Sequence, residues 1–380
     1  MRKAKTFNIL SIDGGHGERL GILLDRLENL VCEQTSHASV IDHADLIAGN
    51  SHGALTALYL AKYKTAAEGL SKLRSFWETY AKDMWTPPDR FLGGLWGFTA
   101  LHPLDKFRDY LIEEFGAHTM LGDLPGKVAV TSLQLDNGLQ EPYREWQPRL
   151  FHNLKGSPYL DELVVDVALR SSALPLVHPI FQSITGQGPG YVDGGVFANN
   201  PAMVVLAKAL DYAHMTGIRM LSVGTDRDIA GGTHFLTPEL HDGAAPWGYQ
   251  RWLLDPAKSL LLLEVFLHGT KQGATLQCQT ILKERFMRVD PRFVNGELVD
   301  NPPTVEAFDA ALSWIQQSGW LPSPAQATDA PAATQEAEAT PAPDAEAEAE
   351  AAEPAKAPAS KRRTASSKGT TRKQSKPKTT

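Results

Sequence analysis

Cysteine is scarce in this chain, with only Cys32 and Cys278 among its 380 residues. Two cysteines without the spacing of metal ligands exclude a disulfide-rich scaffold. They suit a reducing compartment and are predicted to be buried packing residues. Long hydrophobic runs are lacking as well. The most apolar later stretch, residues 260–267, contains Glu264 and is far shorter than a transmembrane helix of about 20 residues. The apolar run at residues 7–12 is too short for the core of a signal peptide. These absences predict a soluble cytoplasmic protein.

Large apolar side chains are missing from about Ser323 onward, where alanine, proline, threonine and charge take over. Residues 329–353 are acidic and residues 356–378 are basic, so the net charge of −7 hides two opposite blocks. Such a composition cannot offset the chain entropy lost on ordering, which predicts a disordered tail over residues 323–380 and one folded domain over residues 1–322. The basic end could bind polyanions, anionic lipid or the acidic block. The alternative is a solubilising tail without a specific partner.

Short buried strands alternate with helices through the folded part. Strands are predicted at residues 7–12, 46–48, 127–133, 149–153 and 219–223. Helices are predicted at residues 22–32, 54–62, 65–82, 103–115, 160–169, 202–214, 256–276 and 304–317. This alternation predicts an α/β fold with a mainly parallel sheet and helices on both faces.

The most informative motif is Gly49-Asn50-Ser51-His52-Gly53, which lies between a short apolar run and a helical segment. Gly-x-Ser-x-Gly between a strand and a helix is typical of a nucleophile elbow, a sharp turn that presents the serine at a helix N-terminus. The motif alone is weak, and a strand-to-helix turn with a capping serine is the alternative.

A glycine-rich loop, Asp13-Gly14-Gly15-His16-Gly17-Glu18-Arg19-Leu20-Gly21, follows the first predicted strand. Backbone amides that converge in such a loop can bind an anion. A nucleotide-binding loop is disfavoured, because the glycines do not match Gly-x-Gly-x-x-Gly and no Gly-Lys-Ser/Thr follows.

A serine nucleophile needs a base, and the sequence offers several candidates. Histidines follow the elbow, none of them in a glycine-flanked turn, at 152, 178, 214, 234, 241 and 268. Asp193 differs, because it ends an apolar pair and precedes Gly194 and Gly195. That context predicts a carboxylate at a strand end, where partial burial would raise its pKa to a value useful for a base. An ordinary Asp-Gly turn is the alternative.

Taken in order, these three motifs resemble those of patatin-like phospholipases and lipid acyl hydrolases. The segments Arg170-Ser-Ser-Ala-Leu-Pro175 and Asn199-Asn200-Pro201 also resemble flanking family segments, and the resemblance covers about residues 7–225. It implies a three-layer α/β/α sandwich and a Ser–Asp dyad, with Ser51 as nucleophile and Asp193 as base. It further implies oxyanion amides in the glycine loop, together with an arginine that holds the loop. These positions are Gly14, Gly15, Gly17 and Arg19.

The glycine loop departs from the family pattern, which usually reads Asp-Gly-Gly-Gly-x-Arg/Lys-Gly. His16 and Glu18 interrupt it, and Arg19 comes one place late. Either Gly17 replaces the third glycine through a one-residue insertion, or His16 occupies that position and places a side chain beside the acyl site.

The resemblance implies a phospholipase A-type acyl hydrolase without metal or organic cofactor, acting on phospholipid or another acyl lipid. Localisation is predicted to be cytoplasmic, with peripheral contact at a membrane. The alternative is a lipid- or granule-surface binding protein with the same fold and little turnover. Residues 85–101, rich in aromatic side chains and glycine, are predicted to form a cap that inserts at the lipid interface. The alternative is that these side chains pack inside.

Overall fold

A computed structural model describes residues 6–35, 39–84, 100–225, 247–253, 260–294 and 297–322 of the chain. The chain divides into two compact units, Met1–Thr328 and Asp329–Thr380, and the described residues all belong to the first. The predicted tail at residues 323–380 therefore lies outside the described residues, and so does all but the end of the predicted cap, since residues 85–99 are not described.

Nine strands occur in the part of the chain that the structure describes. They are β1 (Phe7–Ile12), β2 (Leu46–Asn50), β3 (Val128–Gln134), β4 (Gln147–His152), β5 (Tyr191–Asp193), β6 (Ile218–Val223), β7 (Phe286–Val289), β8 (Phe293–Val294) and β9 (Glu297–Leu298). All five strands predicted from the sequence are present, with bounds that differ by at most a few residues.

Ten α-helices accompany these strands within the same described ranges. They are α1 (Gly17–Gln34), α2 (His52–Lys62), α3 (Ala66–Met84), α4 (Asp105–Phe115), α5 (Val164–Ser172), α6 (Gly195–Ala198), α7 (Ala202–Ala209), α8 (Tyr249–Leu253), α9 (Leu261–Leu282) and α10 (Pro302–Gln317). None of the described helices has both the length and the apolar character that crossing a membrane would require.

The main sheet has the strand order β4-β3-β2-β1-β6-β7, and β5 pairs with β3 off this path. The pairs β1–β2, β1–β6, β2–β3 and β6–β7 are parallel, whereas β4 and β5 run antiparallel to β3. The predicted mainly parallel sheet is thus confirmed. Because β1, β2 and β6 run in the same direction, their carboxyl ends meet at one edge, where open α/β sheets place their sites.

Alternate residues of the central strands face opposite layers of helices. Leu10 and Ile12 of β1 belong to the large apolar cluster that includes α1, α2 and α3. Ile9, which is out of phase with these two residues in the alternation of the strand, belongs to a second cluster with residues of α7 and α9. This period of two on a sheet covered on both faces produces the three-layer α/β/α sandwich that the resemblance implied.

The pairing along β3 brings two distant segments together. On one side of β3 lies β2, whose last paired residue, Asn50, stands opposite Thr131. β4 occupies the other side of the strand over residues 129–134. β5 must therefore continue the β2 side, and its last residue, Asp193, stands opposite Ser132. Asp193 consequently lies beside the end of β2, next to Ser51.

Several predicted bounds were wrong. The helix expected at residues 160–169 is α5, Val164–Ser172, so it includes the Arg170-Ser-Ser segment that was placed after it. Helix α1 already begins at Gly17, inside the predicted loop. Strand β7 was not predicted. Cys278 is buried, as expected, but Cys32 is exposed.

Candidate active site

Ser51 occupies the turn between β2 and α2 in a conformation that side chains rarely adopt. Its φ is 54° and its ψ is −126°. Backbone conformations of this kind cost about 1–3 kcal/mol and persist only where the surrounding structure imposes them. The turn points the serine out of the sheet edge and places it at the N-terminus of α2, where the helix dipole favours negative charge.

The two glycines of the motif are required because three backbone segments approach one another closely. A Cβ atom at Gly49 would lie 2.1 Å from the carbonyl oxygen of Gly53, and one at Gly53 would lie 2.2 Å from the carbonyl oxygen of Asp13. Neither site has room for a side chain, since the obstacles are main-chain atoms. The glycine spacing thus reflects the packing of α2 against β1 and β2.

Ser171 holds the backbone of the Ser51 turn from the side of α5. The amide of Ser51 donates to the Oγ atom of Ser171 over 2.8 Å, and Ser171 is fully buried. The hydroxyl of Ser132 in β3 in turn donates to the carbonyl oxygens of Arg170 and Val192, each at 3.0 Å. These bonds tie α5 and β5 to the sheet, and sequence reasoning had not assigned a role to either serine.

Only 1% of the surface of Asp193 is exposed, and its carboxylate has three hydrogen-bond donors around it. The amide of Gly195 donates to Oδ1 over 2.7 Å, and Nδ2 of Asn50 donates to the same atom over 3.0 Å. Burial raises the pKa of the Asp193 carboxyl to about 6, although the hydrogen bonds from Gly195, Ser51 and Asn50 lower it. A carboxylate with such a pKa accepts a proton far more readily than an ordinary aspartate.

Asn50 orients this carboxylate from inside the serine motif itself. Its Nδ2 atom donates to Asp193, and it also reaches Oδ1 of Asn199 at 3.4 Å. Its Oδ1 atom accepts from the hydroxyl of Thr131 over 2.8 Å, so both ends of the amide are used. These bonds fix the orientation of the Asn50 side-chain amide. Its bond to Asp193 in turn fixes which side of that carboxylate faces Ser51. Sequence reasoning had not assigned Asn50 a role, although it stands between Gly49 and Ser51.

The glycine loop passes directly beside the serine, since a Cβ atom at Gly14 would lie 3.3 Å from Cβ of Ser51. The amide of Gly14, however, donates to the carbonyl oxygen of Asn199 over 2.8 Å. The amide of Gly14 is thus engaged by Asn199 in this structure, and its expected role as an oxyanion donor stays a prediction. The amide of Gly15 donates no hydrogen bond to any residue that the structure describes.

Gly17 and Arg19 belong to the first turn of α1. Gly17 is packed so closely on Trp77 that an added Cβ atom would lie 1.9 Å from the indole ring. The guanidinium of Arg19 lies over the ring of Phe293, 5.5 Å from its centroid. The roles expected for these two residues, an oxyanion amide and support of the loop, stay predictions.

A buried group of charges anchors the start of the loop. Asp13 is fully buried, and both its carboxylate oxygens accept from the guanidinium of Arg288 in β7, with Nη1 to Oδ1 at 2.8 Å. Nζ of Lys271 in α9 lies 3.6 Å from Asp13 and donates to the Thr225 carbonyl oxygen over 2.7 Å. Asp290 pairs with both cations, at 2.9 Å from Arg288 and 3.0 Å from Lys271. No sequence signal connected these residues with the loop.

The candidate histidines fall in other places. Nδ1 of His178 lies 3.2 Å from the carbonyl oxygen of His102, and burial lowers the pKa of His178 to about 4. His152 stands in β4, and burial lowers its pKa to about 4 as well. His214 precedes the short 3-10 turn Met215–Gly217 that leads into β6, and His268 stands in α9, whereas His234 and His241 lie outside the described residues. Within the described ranges, no group of three or more His, Cys, Asp or Glu side chains could hold a metal ion.

Comparison with known proteins identifies the family of this arrangement. The family model described as patatin-like phospholipase matches residues 22–206. The chain is 32% identical over 321 residues to CotR, a proposed sporulation hydrolase of Bacillus subtilis, and the match covers 79% of this chain and 92% of that protein. The chain belongs to the patatin-like phospholipase family. Membership places it among lipid hydrolases.

Two further relatives extend the comparison. Protein teg of Priestia megaterium is 29% identical over 322 residues, which cover 80% of this chain and 92% of that protein. A cGAMP-activated phospholipase of Pseudomonas aeruginosa is 28% identical over 231 residues, which cover 58% of this chain and 62% of that protein. The matched family segment contains Ser51 and Asp193 but begins after the glycine loop, the part of the patatin-like pattern from which this sequence departs.

Proposed function

We propose that this protein is a serine acyl hydrolase of the phospholipase A type, with Ser51 as nucleophile and Asp193 as general base. One observation carries the proposal: a serine in a strained elbow stands beside a buried carboxylate whose pKa burial raises to about 6, while interaction with the Ser51 side chain lowers that pKa. A nucleophile within hydrogen-bond reach of a base, which is itself oriented by a third group, is the general signature of covalent catalysis. Asn50 is that third group.

In the first half of the reaction, Oγ of Ser51 attacks the acyl carbonyl carbon while Asp193 accepts the hydroxyl proton. The tetrahedral intermediate collapses, the bond to the lipid alcohol breaks, and Asp193 returns the proton to the departing oxygen. In the second half, water attacks the acyl-serine while Asp193 accepts a proton from it, and collapse releases the fatty acid as Asp193 returns that proton to Oγ of Ser51. The carboxylate thus acts once as base and once as acid in each half.

The negative oxygen of the intermediate needs donors that are already in place. The amide of Gly15 is one candidate, because it donates to no described residue and its neighbour Gly14 lies against Ser51. The N-terminus of α2 adds its dipole at the same point. Donors fixed before the reaction contribute much of the rate enhancement in acyl transfer, and loss of one costs about 100- to 1000-fold in kcat.

The substrate we propose is a phospholipid or a related acyl lipid. Family membership supports this class, and so does the similarity to a bacterial protein whose name is cGAMP-activated phospholipase. The reaction requires peripheral contact with a membrane or lipid particle and takes place in the cytoplasm, where the basic residues 356–378 could add attraction to anionic lipid.

The test combines a covalent probe with lipid turnover. A fluorophosphonate, which loses fluoride to a reactive serine, should label the full-length protein at Ser51, and phosphatidylcholine vesicles should release fatty acid in its presence. Ser51→Ala should abolish both signals, and Asp193→Asn should reduce both by about 1000-fold or more. Ser71→Ala, on the exposed face of α3, is the matched control and should leave both unchanged. Lipid binding without labelling or turnover would instead favour a lipid-surface binding protein and overturn the proposal.

A further inference from the structure

The proposed chemistry does not use the side chain of His52, which directly follows the nucleophile. Its Nδ1 atom lies 2.8 Å from the carbonyl oxygen of Gly15. A carbonyl oxygen can only accept, so Nδ1 must carry the hydrogen and donate it. The residue after the nucleophile is thereby bonded to the main chain of the glycine loop that passes over the same serine.

The surroundings of His52 keep its ring neutral and in place. The ring packs edge-on against the indole of Trp77, with 4.7 Å between centroids and 63° between planes. Burial lowers the pKa of His52 to about 4, and the nearby His178 and His16 lower it further, while the bond to Gly15 acts in the opposite direction. At neutral pH the ring is therefore uncharged and presents one fixed donor to the loop.

Trp77 supports the other end of the loop as well. Its indole fills the space beside Gly17, at which an added Cβ atom would lie 1.9 Å from the ring. One aromatic side chain of α3 thus lies against both the histidine and the start of α1. His52 is held between Trp77 on one side and the Gly15 carbonyl oxygen on the other.

The glycine loop needs such support because glycine has more backbone freedom than any other residue. The amide of Gly14 is fixed by its bond to the carbonyl oxygen of Asn199. The amide of Gly15, in contrast, donates no hydrogen bond to a described residue. The peptide unit is planar and trans, so anchoring the Gly15 carbonyl also sets the direction of the His16 amide in the same unit. A displacement of about 1 Å in a catalytic group can cost about 100-fold in rate.

We propose that His52 is a positioning residue: its Nδ1–H anchors the Gly15 carbonyl and so holds the glycine loop, and with it the Gly15 amide, in place beside Ser51. The inference rests on the proposed function, since it assumes that this loop binds the oxyanion. His52 itself touches neither the acyl group nor the water in this scheme.

Asparagine and leucine have the same branched shape, but only asparagine can donate a hydrogen bond from the place of Nδ1. His52→Leu should lower kcat for a soluble ester about 30- to 100-fold with little change in KM, because an oxyanion contact forms only in the transition state. His52→Asn should recover to within about fivefold of the parent, since it restores the donor. The labelling rate with the fluorophosphonate should follow the same order, because its phosphoryl oxygen needs the same amides.

His178→Leu is the matched control, because it removes another partly buried histidine whose Nδ1 bonds a backbone carbonyl, in this case the one of His102. It should lower thermal stability comparably and reduce kcat much less. Equal losses in the His52→Leu and His178→Leu variants, or equal losses in the Leu and Asn variants at position 52, would overturn the proposal. ¹⁵N NMR of His52 in the parent should show the Nδ1–H tautomer, and the Nε2–H tautomer would also overturn it.

These outcomes differ from failure of the proposed function. If Ser51→Ala retained full activity, the dyad would fall, while the NMR measurement would still report on the bond to Gly15. If Ser51→Ala abolished activity and His52→Leu did not, the dyad would stand and only the positioning role would be lost.

Discussion

At the scale of single residues, the site concentrates two features that oppose folding. Ser51 adopts a positive φ without being glycine, and Asp193 is a carboxylate removed from water. A third residue, Asn50, bonds Asp193 and keeps its carboxylate turned to Ser51. Strain and desolvation of this kind persist where function requires them, since neither improves packing.

The pH dependence of the reaction should report the pKa of Asp193. As the proposed base, Asp193 must be ionised to accept a proton, and burial raises its pKa to about 6. We expect kcat/KM for a soluble ester to fall about tenfold per pH unit below pH 6 and to level off above it. Initial rates between pH 4.5 and 8.5 would measure this. A limb near pH 4 would indicate a solvated carboxylate and would contradict the assignment.

The same shift predicts that the base destabilises the fold at neutral pH. The folded-state pKa of Asp193, about 6, lies above its ordinary value of 3.8. Its contribution to stability is therefore fully present below about pH 3.8 and is lost as pH rises through 6. Asp193→Asn cannot ionise, so at pH 8 it should be more stable than the parent, by at most about 3 kcal/mol.

Urea unfolding of the parent and the Asp193→Asn variant at pH 8 and pH 5 would test this expectation. The advantage of the variant should shrink at the lower pH, where Asp193 in the parent is mostly protonated. A variant that is less stable than the parent at both pH values would show that hydrogen bonds to the carboxylate outweigh its desolvation.

At the scale of elements, the turn at Ser51 depends on how closely α2 approaches β1. Gly53 is the second residue of the helix, and the carbonyl oxygens of Ile12 and Asp13 lie where its side chain would be. Gly21 in α1 has no such constraint, because a Cβ atom there would meet nothing within 4 Å.

The two glycines should therefore respond in opposite ways to alanine. Gly53→Ala should push α2 away from β1 and destabilise the protein by about 2 kcal/mol or more, with loss of ester hydrolysis. Gly21→Ala should stabilise it by about 0.5–1 kcal/mol, because alanine is the better helix former and meets no obstacle. Thermal unfolding and ester hydrolysis of both variants would decide; a tolerated Gly53→Ala would mean that the approach of α2 can relax.

Element positions were largely predictable from the sequence, whereas some bounds were not. The apolar runs of β1, β2, β3 and β6 are short and bounded by glycine or charge, which local patterning detects. Helix α5 extends through Ser172 because its polar residues are buried and bonded to distant partners, such as the Ser51 amide. Propensity alone cannot anticipate a bond of that kind.

At the scale of the whole molecule, the first strand is tied to the last part of the folded unit. The Asp13 carboxylate, at the end of β1, is bonded by Arg288 of β7, which is 275 positions away in sequence. Because Asp13 is fully buried, removal of Arg288 would leave two carboxylates, Asp13 and Asp290, with Lys271 as their one remaining cation among these residues. The stability of the glycine loop therefore depends on the correct docking of β7.

Arg288→Met should destabilise the protein by about 3–5 kcal/mol and lower the rate of fluorophosphonate labelling. The matched control is Arg26→Met, whose partner Asp300 is 3.3 Å away but whose side chain is half exposed; it should cost at most about 1 kcal/mol. Urea unfolding would compare them. The double variant Asp13→Asn/Arg288→Met should recover part of the loss, and no recovery would show that the loss comes from packing rather than from the unpaired charge.

Removal of residues 329–380, the second compact unit, should leave the hydrolysis of a soluble short-chain ester unchanged. That segment has no large apolar side chain to contribute to a core, so its loss should not alter folding of the first unit. Any effect should be confined to vesicles with anionic lipid and should fade with salt, because lysine and arginine contacts are screened. Lower turnover of the soluble ester by the shortened protein would contradict this division.

The sequence by itself determined the fold class, the elbow at Ser51 and the candidate base at Asp193, because these depend on local patterns: alternating apolar runs, and glycines around a polar residue at a strand end. Only the tertiary structure decided which groups meet. The register of β3 puts Asp193 beside Asn50, the Asn199 carbonyl accepts from the Gly14 amide, and Arg288 reaches Asp13 across the sheet. The physical reason is that strand register and the pairing of buried polar groups depend on contacts between residues far apart in the chain, on which local sequence carries no information.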